Sequence, residues 1–163
     1  MASNAKKVVG LVFVSAFAPD EGEVLGQVTA TSNDAILGSA LMPLQYPIGQ
    51  GDATAVEFMV DPAKVHELFA GDLPAAAAAV AGATQRPVAQ LAFSEANGKP
   101  AWKTLPSWAV VATGDKAAGT DLTRAMADRA GAEITELDGS HVIMISQPQA
   151  VIDVIMTAVN AVS

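Results

Sequence analysis

The sequence predicts an α/β protein built on a parallel sheet, and three observations support this. Two apolar runs, residues 8–15 and 107–113, are nearly continuous rather than alternating, as in strands buried on both faces. Amphipathic helical patterns cover residues 121–131 and 148–162. The resulting order of strand, helices, strand, helix, strand, helix is typical of parallel sheets with helical crossovers.

Composition and charge exclude several classes of protein. A chain of 163 residues, 51% of them apolar, fits one globular domain with a real core. The net charge is −8, and the nine Lys and Arg residues do not cluster, so the basic footprint of a nucleic-acid-binding protein is missing. There is no cysteine, which excludes disulfides, thiolate metal sites and cysteine nucleophiles and fits a cytoplasmic protein.

The first strand has a competing interpretation. Lys6 and Lys7 precede the apolar run, and residues 16–18 (AFA) imitate a small-x-small cleavage site, as in a signal peptide. We favour a buried strand over 8–15, because buried parallel strands are the commoner origin of such runs. No segment approaches the roughly 20 apolar residues that span a bilayer, so no membrane partner is expected.

The middle of the chain, residues 24–100, is predicted to be a largely helical cap. Residues 29–54 are mixed and are interpreted as loops and short turns. Asp61 and Pro62 predict the N-cap and first position of a helix. Two further helices are expected, one from 72–74 through the alanine run 75–79 and one over 85–97.

From Pro106 the pattern changes to that of the core, residues 101–163. A strand over 107–113 precedes a helix over 121–131 that ends at Gly131. A third strand is predicted over 133–137, and the last helix over 148–162. The predicted inward-facing side chains are Leu122, Ala125, Met126 and Ala130 on the first helix, and Val151, Val154, Ile155, Ala158 and Val162 on the last.

Two residues that could carry chemistry follow neighbouring predicted strands. Ligands bind at the carboxyl ends of parallel strands, and there Asp115 follows one strand and His141 the next. A carboxylate that orients an imidazole base is the acid–base pair of a Ser-His-Asp enzyme. The alternative remains open, because Gly-Asp is a common turn and a lone loop histidine is more often solvated or a capping residue.

The other candidate residues have simpler interpretations. His66 lies in a predicted helix as a surface or half-buried side chain, and Trp102 and Trp108 are expected to pack. Neither histidine lies in a HExxH pattern, and no GxGxxG or GxxxxGK[ST] loop is present, so no metal or cofactor is expected. No serine lies in a Gly-x-Ser-x-Gly elbow; Ser39 comes nearest but lacks the second glycine.

Several segments resemble one family. Residues 10–23 (GLVFVSAFAPDEGE) resemble the sixth strand and following loop of small cofactor-free α/β-hydrolases, the relatives of hydroxynitrile lyases and plant salicylate-type esterases. Residues 100–108 (PAWKTLPSW), 113–115 (TGD) and 126–132 (MADRAGA) resemble the approach to the seventh strand, the acid turn and the next helix. Residues 139–141 (GSH) and 146–148 (SQP) resemble the histidine loop, and residues 61–87 the helical cap.

The resemblance implies a truncated α/β-hydrolase fold with about three parallel strands, the sixth to eighth of the family. It implies Asp115 as the catalytic acid, His141 as the catalytic base, no cofactor and a small apolar ester-like substrate. The nucleophile elbow and oxyanion-hole loop are expected to precede residue 1. One departure, residues 117–119 (AAG) where relatives often carry Ile-Pro-Pro, is expected at most to loosen the acid loop.

A chain with these parts is expected to show negligible esterase activity alone, since triad residues act as a unit. We expect strand 8–15 to be an exposed edge, one sheet face to lack a covering helix, and the chain to form a homodimer or to associate through that edge. Two other functions stay open: a non-enzymatic small-ligand-binding or dimerising domain, and lyase-type use of the same site.

Overall fold

A computed structural model describes residues 7–163 and contains two separate sheets. The strands are β1 (Leu11–Val14), β2 (Leu41–Pro47), β3 (Thr54–Val60), β4 (Val88–Ala89), β5 (Ser107–Ala112) and β6 (Glu133–Leu137). The α-helices are α1 (Leu25–Thr29), α2 (Val65–Leu68), α3 (Ala75–Thr84), α4 (Leu91–Ser94), α5 (Thr120–Arg129), α6 (Ile143–Ser146) and α7 (Pro148–Val162). Short 3₁₀ turns cover Leu37–Ala40 and Ala101–Lys103.

The predicted parallel sheet is confirmed, with the strand order β1-β5-β6. Both pairs are parallel, and their register places Val12 opposite Trp108 and Ala109 opposite Ile134. Every residue of the central strand β5 is buried, in keeping with a sequence that is apolar after its first residue, Ser107. Because all three strands run the same way, the loops after β5 and β6 emerge at one edge.

Both faces of this sheet carry a helix, so the expectation of a bare face is wrong. Trp108 and Val110 point to one face and pack with Val151 and Val154 of α7. On the other face, α5 packs across β5 and β6. Alternate residues of a strand point to opposite faces, and an apolar strand such as β5 therefore needs cover on both.

Strand β1 is shorter than predicted and forms one edge of the sheet. It covers Leu11–Val14 rather than 8–15 and pairs with β5. Two hydrogen bonds extend the pairing, from the N–H of Leu11 to the oxygen of Pro106 (3.0 Å) and from that of Ser15 to the oxygen of Val110 (2.9 Å). Residues 8–10, before it, have no regular structure, and Val9 is 57% exposed.

The expectation of loops and short turns over 29–54 is wrong for residues 41–47, which form strand β2 of a second, antiparallel sheet of order β2-β3-β4, while the 3₁₀ turn Leu37–Ala40 fits it. The two prolines of β2, Pro43 and Pro47, made a strand look improbable. Since β2 is an edge strand of this sheet, their missing N–H groups are tolerated there. The cap therefore combines an antiparallel sheet with short helices.

Of the three predicted cap helices, only α3 forms as expected. Asp61 closes a turn, accepting the N–H of Ala63 at 2.9 Å, and α2 begins later, at Val65. The side-chain amide of Gln85 binds the backbone N–H and oxygen of Val60, both at 2.8 Å. This contact brings the following residues beside β3 as strand β4, and only the short helix α4 remains of the predicted third helix.

In the C-terminal part, the structure closely follows the predicted pattern. Strand β6 and helix α7 have the predicted bounds, and α5 starts one residue early and ends two before Gly131. Two side chains expected to face inward, Ala125 and Ile155, are exposed instead. No helix among the described residues is long and apolar enough to cross a membrane.

Candidate active site

The acid turn follows β5 directly and holds one carboxylate in a fixed position. Oδ1 of Asp115 accepts hydrogen bonds from the backbone N–H groups of Ala117 (2.8 Å) and Ala118 (2.9 Å). The Asp115 N–H donates to Oγ1 of Thr120, and that hydroxyl donates to the oxygen of Ala112. Because backbone groups make these contacts, they do not depend on the side chains of residues 117 and 118.

The histidine loop follows β6 and brings an imidazole to the same carboxylate. Nδ1 of His141 lies 2.9 Å from Oδ2 of Asp115. The two loops approach closely at two glycines, where the N–H of Gly114 donates to the oxygen of Gly139 at 2.9 Å. A Cβ at position 114 would lie 2.9 Å from that oxygen, so a larger residue would push the loops apart.

The surroundings of the pair set its chemistry. The Asp115 side chain is completely buried and the His141 side chain is 25% exposed. With Nδ1 donating to the carboxylate, the neutral ring carries its lone pair on Nε2. The Phe69 ring packs against the imidazole with centroids 4.8 Å apart and planes tilted by 49°. Such a ring can accept a proton at Nε2 while the carboxylate stabilises the cation that forms.

Comparisons with known proteins agree with this architecture. A family model described as "Alpha/beta hydrolase family" matches residues 1–154.

The chain belongs to the alpha/beta hydrolase family.

Solved structures share the fold of this alpha/beta hydrolase chain. Polyneuridine aldehyde esterase is 18% identical with a TM-score of 0.73, covering 96% of this chain and 64% of its own. Tomato methylketone synthase I is 22% identical (TM-score 0.68), with 94% and 62% covered. A pyrethroid hydrolase from Sphingobium faniae is 17% identical (TM-score 0.66), with 96% and 62% covered. The hydrolase chain thus spans somewhat under two thirds of their length. No curated protein matches it in sequence.

The two predicted site residues therefore meet in this alpha/beta hydrolase chain, and their catalytic roles stay a prediction. No serine among the described residues donates a hydrogen bond to His141. Ser39 bonds to the oxygen of Ile36 and is exposed, and Ser140 bonds to Asp72. Ser15 has a positive φ of 44° at the end of β1, but its hydroxyl is buried without a partner in the described chain.

The remaining candidates have structural roles. Nε2 of His66 lies 2.9 Å from the oxygen of Leu73, away from the acid–histidine pair. Trp108 is buried in the core, and the indole N–H of Trp102 donates to the oxygen of Pro19. Within residues 7–163, no three His, Asp or Glu side chains converge in a way that could hold a metal ion.

An apolar cavity of about 320 Å³ lies inside the cap. Its wall includes Phe58, Val60, Phe93 and the same Phe69 that packs on His141. A larger and shallower hollow, about 510 Å³, lies between α1 and α5 and includes neither residue of the pair. The cap cavity is therefore the concave apolar space that Phe69 links to the imidazole.

Sequence reasoning missed the cap residues that touch the histidine loop. Phe69 contacts His141, and the Asp72 carboxylate accepts hydrogen bonds from the hydroxyls of Ser140 and Ser146. The sequence pattern around Phe69 indicated only the apolar face of a helix, and that around Asp72 only the start of one. The adjacency of Ser140 to His141 was the single available signal, and it does not identify a partner 68 residues away.

Proposed function

We propose that this chain supplies the acid and base of a serine-esterase site that cleaves small apolar carboxylic esters. The observation that carries the proposal is the contact between the buried Asp115 carboxylate and Nδ1 of His141 at the carboxyl edge of the sheet. In this reaction, Nε2 accepts the proton of a serine hydroxyl as its oxygen attacks the ester carbonyl. The imidazolium then protonates the leaving alkoxide, and water releases the acyl group by the same steps.

Asp115 is suited to this role because, among residues 7–163, only His141 contacts its Oδ2. Its other oxygen is engaged by two backbone N–H groups, which fix the carboxylate's orientation. A buried anion next to the ring stabilises the transient imidazolium more than a solvated one, because the surrounding dielectric is low. The carboxylate also keeps the ring in the tautomer that leaves Nε2 able to accept a proton.

The substrate class follows from the cap cavity. Its wall is mainly apolar, with Gln85 and Arg86 as the polar contributors, and its volume of about 320 Å³ suits a small acyl or alcohol group. The structural neighbours include an esterase and a hydrolase of pyrethroids, which supports ester chemistry. We propose that the apolar part of the ester occupies this cavity, with the scissile carbonyl on the His141 side of Phe69.

The nucleophile, in this proposal, comes with a polypeptide segment equivalent to the part of the solved relatives that the chain does not match. That segment is at least a third of their length. β1 offers it an open edge, on which a further parallel strand could pair. A parallel strand there would lie beside β1 and would end at the same edge of the sheet as the acid turn that follows β5.

Helix α7 offers a second apolar surface, close to the open edge of β1, on which the same segment could pack. Val151, Val154 and Ala158 pack on the sheet. Beside them lies a second apolar row in which every residue is at least 40% exposed, formed by Ile152, Ile155, Met156 and Val159. The apolar arc is therefore much wider than the roughly 100° that one buried interface needs. Since α7 packs over β1 and β5, this row and the open edge belong to neighbouring elements.

The proposal is tested on protein tagged at its own genomic locus and purified from its source cells. We expect p-nitrophenyl butyrate hydrolysis and fluorophosphonate labelling of a serine outside residues 7–163. The mass of the labelled polypeptide shows whether the serine lies on the same chain or on a co-purifying one. Both signals should vanish in His141→Ala.

The 163-residue chain expressed alone is the matched comparison, and it should show neither signal. Ester turnover that survives His141→Ala, or a labelled serine within 7–163, would overturn the proposal. A source protein that forms homodimers with no labelling and no turnover would instead support the non-enzymatic ligand-binding function.

A further inference from the structure

The cap touches three consecutive residues of the histidine loop, and it does so from one turn. This turn, residues 69–73, joins α2 to α3 and is called the cap turn below. Phe69 packs on the ring of His141. Asp72 binds Ser140, which precedes His141, and Ala70 and Leu73 form an apolar cluster with Val142, which follows it.

The Asp72 carboxylate connects both ends of the segment that carries the histidine. Oδ1 accepts the hydroxyl hydrogen bond of Ser140, and Oδ2 accepts that of Ser146 at 2.5 Å. Ser140 is 93% buried, so its hydroxyl depends on this partner more than a solvated one would. A Cβ at Gly139 would lie 2.6 Å from Oδ2 of Asp72 and closer still to the end of the Ile143 side chain, so a larger residue there would displace one of these side chains.

The charge state of Asp72 favours these contacts. Its partial burial raises the carboxyl pKa, but the hydrogen bonds from Ser140 and Ser146 outweigh that effect and hold the pKa below the ordinary 3.8. Asp72 is therefore ionised at neutral pH and accepts hydrogen bonds through both oxygens. One side of Asp72 faces solvent, and solvent would screen a purely electrostatic attraction between this carboxylate and a distant charge.

We propose that Asp72 is a positioning residue for His141, which rests on the proposed role of His141 as the base. Asp115 anchors the imidazole at Nδ1 alone, and a ring held at one atom can still tilt about that contact. The cap turn adds Phe69 against the ring face, and it adds the Asp72 carboxylate, which binds the hydroxyls of Ser140 and Ser146 before and after His141 in the chain. Movement of the cap, as when an ester enters the cavity behind Phe69, is thereby transmitted to the base.

The test uses the 163-residue chain and NMR of the His141 ring, because this readout needs no turnover. Asp72→Ala should move the ring proton shifts, which report the Phe69 ring current, and reduce the share of the Nδ1–H tautomer. It should also speed exchange of the Nδ1 proton about tenfold. Asp72→Asn should largely restore the wild-type signals, since an amide can accept from one serine and donate to the other.

A second variant separates hydrogen bonding from charge. Ser140→Ala with Ser146→Ala removes both hydroxyls and keeps the Asp72 carboxylate, and it should reproduce the changes of Asp72→Ala. Asp121→Ala is the matched control, since Asp121 also accepts a serine hydroxyl, from Ser32, and lies at the start of α5. It should lower thermal stability and leave the His141 signals as they are.

The proposal is overturned if Asp72→Ala and the double serine variant lower the melting temperature, as Asp121→Ala does, while the His141 spectrum stays that of wild type. Failure of the esterase proposal gives a different result. In that case the source protein shows no turnover and no serine labelling, whatever the ring of His141 does in these variants.

Discussion

The parallel-sheet core and the cap are built in different ways. In the core, β5 is buried along its whole length, and strand β6 and helix α7 have the bounds that local sequence patterns predict. In the cap, β2 and β3 pair through mostly exposed or half-buried residues, and α2 and α4 are single turns. The core forms from strongly apolar local segments, whereas the cap depends on specific long-range contacts such as Gln85 with Val60.

The two regions therefore contribute different parts of the candidate site. The core holds Asp115 and His141 at one sheet edge, and the cap supplies the apolar cavity and the turn that presses on the imidazole. Substitutions in the core should therefore cause large losses of activity or of folding stability. Substitutions in the cap should change both quantities by smaller amounts.

The largest expected effect is a loss of esterase activity when Asp115, in the core, is substituted. Asp115→Asn should lower kcat of the tagged source protein about 10³- to 10⁴-fold, because the amide N–H₂ facing Nδ1 selects the tautomer whose Nε2 cannot accept a proton. The measurement is p-nitrophenyl butyrate turnover, with melting temperature as a check on folding. Asp128→Asn, an exposed carboxylate on α5, is the control. A loss of less than tenfold would contradict the assigned role of Asp115.

The next effect contrasts the stability of the two regions. Ile143 is fully buried in α6 within the core cluster, whereas Leu91 in α4 of the cap is 64% exposed. Ile143→Ala should lower the free energy of unfolding by about 2–5 kcal/mol, while Leu91→Ala should change it by less than about 0.5 kcal/mol. Urea unfolding of the 163-residue chain measures both. Equal losses would show that the cap is packed as tightly as the core.

The core could be predicted from the sequence much better than the cap. The strand-end rule brought Asp115 and His141 to the same edge because it depends only on the direction of two strands. Strand β2 could not be predicted, since Pro43 and Pro47 oppose a strand locally and only pairing with β3 explains them. Helix α7 was predicted in full, yet the exposure of Ile155 was not, because periodicity alone does not show how wide an interface the helix meets.

The contacts between the cap and the loop that carries His141 could not be predicted from the sequence. Asp72 lies 68 residues from Ser140 and 74 from Ser146, and no local pattern links positions so far apart. Each residue has a sufficient local interpretation, a helix start in one case and a loop in the other. Only the three-dimensional approach at Gly139 joins them.

A smaller effect on the ester kinetics should distinguish two aromatic residues that line the cavity. Phe58 and Phe69 both line it, but Phe69 also contacts His141. Phe69→Leu should lower kcat about two- to tenfold, the range expected from loss of one aromatic contact. Phe58→Leu should act mainly on KM, because it alters the cavity and not the base. Ester kinetics of the tagged source protein decide this, and an identical kcat–KM pattern in both variants would argue against a distinct role for Phe69.

The smallest effect concerns the ion pair that joins the start of the cap region to α5. Glu23 receives hydrogen bonds from both terminal nitrogens of Arg129, at 2.6 and 2.7 Å, and these hold the Glu23 pKa below its ordinary 4.5. A carboxyl whose folded-state pKa is lowered stabilises the protein above the unfolded value and loses that contribution as the pH falls through the lowered value. Because Arg129 is 37% exposed, screening limits the effect, and Glu23→Gln should cost only about 0.5 kcal/mol at pH 7. In urea unfolding, this difference from wild type should shrink below about pH 4 and in high salt. Glu21→Gln, at an exposed neighbouring position, is the control. A difference that persisted in acid would mean that the glutamate stabilises this joint by packing and not by its charge.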